Sequence, residues 1–114
     1  MKINELADLL SAEIRTGANG TEREICTAYA GDMLSDVLSL GTQPDVLLTG
    51  LLNPQVIRTA EMLDTACVVF MRGKQPTDAM LELAKKSGIC VLASDLELYA
   101  ACALLAKAGI EAAE

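Results

Sequence analysis

Three unbroken apolar runs constrain this chain most. They are Asp45-Val46-Leu47-Leu48-Thr49, Ala66-Cys67-Val68-Val69-Phe70-Met71 and Ile89-Cys90-Val91-Leu92. None alternates with polar residues, so each reads as a strand buried on both faces rather than on one. Between and after them stand helical patterns. Asn53-Pro54 reads as an N-cap followed by proline at the first helical position, and Val56, Ile57, Ala60 and Leu63 follow at helical spacing. Pro76 to Lys86 forms a second helix, with Ala79, Met80, Leu83 and Ala84 on one face. Lys85 and Lys86 suit its C-terminal end and Gly88 its left-handed stop. Ser94-Asp95-Leu96-Glu97 has the form of a capping box and opens a third helix that runs to about Lys107 and is closed by Gly109. The C-terminal two-thirds is thus βαβαβα. Connections this short imply parallel neighbours and right-handed crossovers. The expected fold class is α/β, a three-layer sandwich with a mostly parallel sheet.

The N-terminal third is less regular. Asn4 is placed to cap a short helix with Leu6, Leu9 and Leu10 inward, and Glu13 to Thr16 reads as a strand. Gly17-Ala18-Asn19-Gly20 is a turn, and Glu24 to Ala30 a further strand. Asp32 then caps a helix from Met33 to Leu40 that Gly41 stops. Residues 41–44 form an ordinary loop. With 114 residues and no linker, the chain reads as a single domain over 1–114. A hydrophobic share of 52% supplies the core, and the apolar excess is large enough to suggest a subunit interface.

Composition removes whole function classes. The chain has no His, which excludes a Ser-His-Asp triad, a Cys-His pair, His-ligated zinc and a His proton shuttle. A net charge of −7 repels phosphate backbones, and three aromatic residues make a poor stacking platform, so nucleic acid is not an expected partner. The start, Met1 to Leu6, is not a signal peptide, because Glu5 and Asp8 interrupt it before an apolar segment forms. The apolar run Ala66 to Met71, like every other apolar run in the chain, is too short to span a membrane. The expected location is the cytoplasm. Cys26, Cys67, Cys90 and Cys102 contain no CxxC pair, so no zinc or redox motif is present. Cys67 and Cys90 read as small buried strand residues, and Cys102 lies on an apolar helix. A four-thiolate cluster stays open as an alternative, should the strands bring the cysteines together. No metal site and no cofactor is otherwise expected.

The stretch Thr27-Ala28-Tyr29-Ala30-Gly31-Asp32-Met33-Leu34-Ser35-Asp36-Val37-Leu38 resembles the signature of the DRTGG domain family, which shows a small-aromatic-small-Gly/Ser-Asp-Leu-Leu-Ser-Asp-Val run. Ile89-Cys90-Val91-Leu92-Ala93-Ser94-Asp95 also fits the family pattern, and the resemblance extends over roughly residues 2 to 110. Its most specific piece is Tyr29 to Val37. Domains of this family are similar to the N-terminal domain of bacterial HPr kinase/phosphorylase. They occur beside CBS domains and within some phosphotransacetylases. Free-standing copies are found in anaerobic bacteria, sometimes encoded near hydrogenase genes. The resemblance therefore implies a regulatory role. In HPr kinase the chemistry belongs to a separate P-loop domain, and no Walker A loop is present here. The only Gly-Lys pair is Gly73-Lys74, with Val68 where the first glycine would stand and Gln75 in place of Ser/Thr. Two departures from the family stand out. The naming Gly-Gly is reduced to Arg72-Gly73-Lys74, and the polar Asp/Arg pair common before the third helix is replaced by Gly50-Leu51-Leu52-Asn53-Pro54.

In an open parallel sheet, ligands sit beyond the carboxyl ends of the strands. That edge gathers Thr49, Gly50 and Asn53, then Arg72, Gly73 and Lys74, then Ser94 and Asp95, with Gly31, Asp32 and Ser35 joining them at a helix start. Helix N-termini facing one crevice favour an anion, such as a nucleotide. Asp32, Asn53 and Ser94 also read as ordinary caps, and the glycines as turns. Arg72 and Lys74 have no local structural reason in so acidic a chain. Asp32 and Asp36, one helical turn apart, are the only candidate acid/base pair, and no nucleophile–base pair is apparent. The expected function is a non-enzymatic regulatory or interaction module that self-associates or docks on a larger redox or metabolic enzyme. The alternative is a sensor that binds a nucleotide or other anion at the strand-end edge.

Overall fold

The computed structural model describes residues 1–39, 41 and 43–113. One six-stranded sheet carries the fold, with strand order β1-β5-β4-β3-β2-β6. The strands are β1 (Glu13–Thr16), β2 (Thr27–Ala30), β3 (Val46–Thr49), β4 (Cys67–Phe70), β5 (Cys90–Ala93) and β6 (Glu111–Ala112). The helices are α1 (Ile3–Leu9), α2 (Leu34–Ser39), α3 (Pro54–Met62), α4 (Asp78–Ser87) and α5 (Leu98–Lys107). Strands β2 to β5 and β6 are parallel, and β1 alone is antiparallel, pairing Glu13 with Ala93 and Ile14 with Leu92 along β5.

Every residue of β3, β4 and β5 is buried. Successive side chains feed opposite layers, as strand geometry requires. Val46, Leu48, Cys67, Val69, Cys90 and Leu92 join Leu6 and Leu10 of the α1 region and Ala101 and Leu105 of α5. Leu47, Val68, Phe70 and Val91 join Val37 of α2, Val56, Ile57 and Ala60 of α3, and Met80 and Ala84 of α4. The three-layer α/β sandwich is therefore built as the apolar runs imply.

The helix starts show where local reading succeeds and fails. Asn53 caps α3 by accepting from the Gln55 amide at 2.8 Å, with Pro54 in the first turn. Gly88 ends α4 in the left-handed region at φ 72°. The start of α4 lies at Asp78 rather than Pro76, because the Thr77 hydroxyl accepts from the Met80 amide and serves as the cap. Asn4 is not a cap. It lies inside α1, where its amide donates to Glu22, and the Lys2 amide donates to the Glu5 carboxylate at 2.8 Å instead. Ser94 does not cap α5, which begins four residues later. Its hydroxyl is buried, donates to the Leu10 carbonyl at 2.8 Å and accepts from the Leu96 amide. The strand expected from Glu24 begins at Thr27, since the Asp45 carboxylate takes the Cys26 and Thr27 amides. Helix α2 spans Leu34–Ser39. Leu40 and Thr42, assigned above to its end and to the following loop, lie outside the described residues. The two-residue β6 has no counterpart in the sequence reading, being too short to show a pattern.

Cys67 and Cys90 stand opposite one another on adjacent strands. Donation from the Cys67 thiol to the Cys90 sulfur raises Cys67 well above the ordinary thiol range, reinforced by burial, and lowers Cys90. Cys26 is exposed and Cys102 partly so. Among the described residues no three His, Cys, Asp or Glu side chains converge on a point that could hold a metal ion, so the four-thiolate arrangement does not form.

Two outcomes follow from this packing. With a disulfide-exchange reagent on the folded protein, Cys26 reacts first and Cys102 after it, whereas Cys67 and Cys90 react only on unfolding. Gly17→Ala is strongly destabilising. Gly17 has φ 83°, and a Cβ there would lie 2.8 Å from the Cys90 Cα. The backbone strain alone costs about 1–2 kcal/mol in urea unfolding, and the clash adds to it.

Candidate functional site

Because β5, β4, β3 and β2 are parallel neighbours, their C-terminal ends form one continuous edge. The chain leaves that edge at Ser94-Asp95, Arg72-Gly73, Gly50 and Gly31-Asp32 in turn. The connections are tied to each other by hydrogen bonds. The Arg72 amide donates to the Leu96 carbonyl at 2.9 Å, and the Gly73 amide to the Ser94 carbonyl at 3.0 Å. The Gly31 amide donates to the Leu48 carbonyl at 3.0 Å.

Asp32 holds the β2 and β3 ends together. One oxygen of its carboxylate accepts from the Gly50 amide at 2.8 Å and from the Thr49 hydroxyl at 3.1 Å. Thr49 Oγ1 in turn accepts from the Leu51 amide at 3.1 Å. The cap expected of Asp32 on α2 is thus replaced by a bridge between strands, and its carboxylate serves as a structural acceptor. Asp36 is exposed on α2, and its side chain has no hydrogen bond or ion pair with Asp32 or the strand-end groups among the described residues.

Arg72 is the unusual residue. It occupies left-handed backbone at φ 60°, followed by Gly73 at φ 73°. A residue with a Cβ is disfavoured there, and such outliers persist when the surroundings over-determine them. Here the two amide bonds to the β5–α5 connection do so. The Arg72 side chain folds over Gly50, and a Cβ on Gly50 would meet its guanidinium at 2.9 Å. The Asp95 carboxylate lies beside Gly73, 3.3 Å from where a Cβ would stand. Neither Arg72 nor Lys74 takes part in an ion pair among the described residues.

The structure therefore gathers Gly31, Asp32, Thr49, Gly50, Arg72, Gly73, Ser94 and Asp95 along one edge. Asn53 is engaged in capping α3. Ser35 and Lys74 are exposed, and neither side chain bonds to the cluster. The sequence reading missed a second concavity. A cavity of about 540 Å³ opens at the opposite, N-terminal edge of the sheet, with Arg15, Thr16, Arg23 and Lys85 in its lining. These residues come from separated segments with no shared motif. Only the antiparallel placement of β1 beside β5 brings them together.

No protein-family model matches this chain, and no curated protein is similar to it. Among solved structures, similarity is found to the CBS and DRTGG domains of the regulatory region of Clostridium perfringens pyrophosphatase, crystallised with its activator diadenosine tetraphosphate. The TM-score is 0.72 at 18% identity, over 91% of this chain and 45% of that one. This chain thus spans less than half the length of the structure it resembles. The likeness establishes the fold class, a mostly parallel α/β sandwich that also occurs in that regulatory region. Among the described residues, no helix is long and apolar enough to cross a membrane.

Asp32→Ala removes a charged acceptor from two donors of which one, Thr49, is fully buried. Urea unfolding is expected to show a loss of about 1.5–3 kcal/mol. Asp36→Ala, on the exposed face of α2, should change stability by less than about 0.5 kcal/mol.

Proposed function

We propose that this chain is a regulatory module of the DRTGG type, with no catalytic activity of its own, that works by self-association or by docking on a larger redox or metabolic enzyme in the cytoplasm. The observation that carries this reading is the shared fold. Most of the chain superposes on part of a pyrophosphatase regulatory region. The Tyr29 to Val37 stretch, which led to the same family from sequence, forms the end of β2 and most of α2 in that fold. The likeness to the N-terminal domain of HPr kinase/phosphorylase belongs to the same proposal, as does the reading of residues 1–114 as one such domain.

The surface supports an interaction role. Met33 and Leu38 are 62% and 42% exposed, on and beside α2. Leu52 lies just before the neighbouring α3 and Met62 is its last residue, at 38% and 70%. Exposed large apolar side chains of this kind are enriched at interface cores. Sedimentation across a wide concentration range tests self-association. Wild type should associate, and Leu38→Asp should return the chain to monomer. Monomeric behaviour of wild type at every concentration would remove the self-association part.

A second reading is favoured by Arg72. Strained backbone that aims an unpaired guanidinium across a glycine fits a binding role better than a structural one, and the solved relative was crystallised with a nucleotide activator. In this reading the strand-end edge takes a nucleotide or similar anion. A ligand at a hundred times its Kd adds about 2.7 kcal/mol, hence a rise in Tm of roughly 10 °C for a domain this size. The part of the rise that comes from this edge should be lost in Arg72→Ala, and a rise that Arg72→Ala leaves whole would count against this reading. Gly50→Ala should weaken the rise with little loss of stability, because the added Cβ displaces a side chain rather than backbone. No rise with any common nucleotide would sink this reading.

A further inference from the structure

We infer that the cavity at the N-terminal edge of the sheet is a binding site for a small organic phosphate, separate from the strand-end edge. Its lining joins the end of β1, the turn through Gly17 and Gly20, the end of α4 and the start of β5. At about 540 Å³ it exceeds a bare inorganic anion and lies in the range of small-molecule pockets.

Charge points to the ligand class. The whole chain has 16 acidic residues and 9 basic ones, yet the cavity lining has none of the former and three of the latter, Arg15, Arg23 and Lys85. Arg15 is engaged by Glu13 at 3.3 Å and by Gln75, so it shapes the rim. Arg23 has no ion pair among the described residues, and Lys85 has only an exposed contact to Glu82 at 3.7 Å. Two cations of the lining are therefore available to an anion, one from the turn region and one from the end of α4.

Thr16 contributes to the wall as a packed residue: it is 7% exposed and lines the cavity, and its hydroxyl oxygen is shielded from solvent with no hydrogen-bond partner among the described residues. Ile3, Ile14 and Ile89 add apolar wall, which accommodates a carbon or ring portion beyond the phosphate. Gly17 completes the site. Its left-handed backbone lets the turn sit against Cys90 and so fixes the rim over the start of β5.

The test is a titration of isotope-labelled full-length protein with AMP and with phenyl phosphate, followed by amide chemical shifts. Both probes should produce saturable shifts at Gly17, Ala18, Asn19, Gly20 and Gly88, and smaller ones at Gly50 and Gly73. Arg23→Ala and Lys85→Ala, both at exposed positions, should each weaken binding by about tenfold, and Arg72→Ala should leave it unchanged. Thr16→Val, which removes the unpaired buried hydroxyl, should stabilise the free protein and leave the affinity for both probes unchanged. Absence of saturable shifts with either probe up to about 10 mM would overturn the inference. So would shifts centred on Gly50 and Gly73, which would instead favour the strand-end reading. Inorganic phosphate binding as tightly as both probes would overturn the organic-phosphate assignment, and affinity unaffected by both Arg23→Ala and Lys85→Ala would overturn the site.

Discussion

The burial of β3, β4 and β5 on both faces governs everything else in this molecule. A strand with no exposed side chain can carry no surface chemistry along its length. Polar groups are therefore driven to the two ends of the sheet, where the chain leaves one layer for the other. At the C-terminal end lie Asp32, Thr49, Arg72 and Asp95. At the N-terminal end lie Arg15, Thr16, Arg23 and Lys85. The same constraint explains why buried polar side chains among the described residues sit at strand ends or helix contacts, as Thr49, Thr65 and Ser94 do. Each of those three hydroxyls finds a partner, whereas that of Thr16 has none among the described residues.

Much of this was legible beforehand. Continuous apolar runs marked β3, β4 and β5, and Asn53-Pro54 and Gly88 marked helix ends, because those signals act within a few residues. The errors share one cause. Asp32 and Ser94 have the side chains of N-caps, and their oxygens do accept amide hydrogens, but the partners that matter are remote. Asp32 reaches Gly50, 18 residues away, and Ser94 reaches Leu10, 84 residues away. Local pattern cannot distinguish an oxygen that caps its own helix from one that bridges elements. The C-terminal edge was foreseen from topology, since parallel strands bring their ends together. The basic cavity was not, because it depends on an antiparallel β1 that an irregular N-terminal third gave no means to orient.

The distribution of charge acquires a structural meaning once both edges are in view. In a chain of net charge −7, a cation near a strand end is conspicuous. Arg72 and Lys74 mark one end of the sheet and Arg23 and Lys85 the other. The C-terminal edge also carries Asp32 and Asp95, so its field is mixed. The cavity lining at the opposite edge is free of carboxylates. The two ends differ in electrostatic character even though one sheet builds both.

The position of β1 has a consequence for how the molecule assembles. Strand β1 precedes β2 to β4 in the chain, yet among the described residues its strand partner is β5, whose last residue, Ala93, pairs with Glu13. The parallel units from β2 to β4 can condense each beside its predecessor, whereas the β1 ladder and the bond from Ser94 to the Leu10 carbonyl close only once β5 is in place. Such non-local closure slows folding.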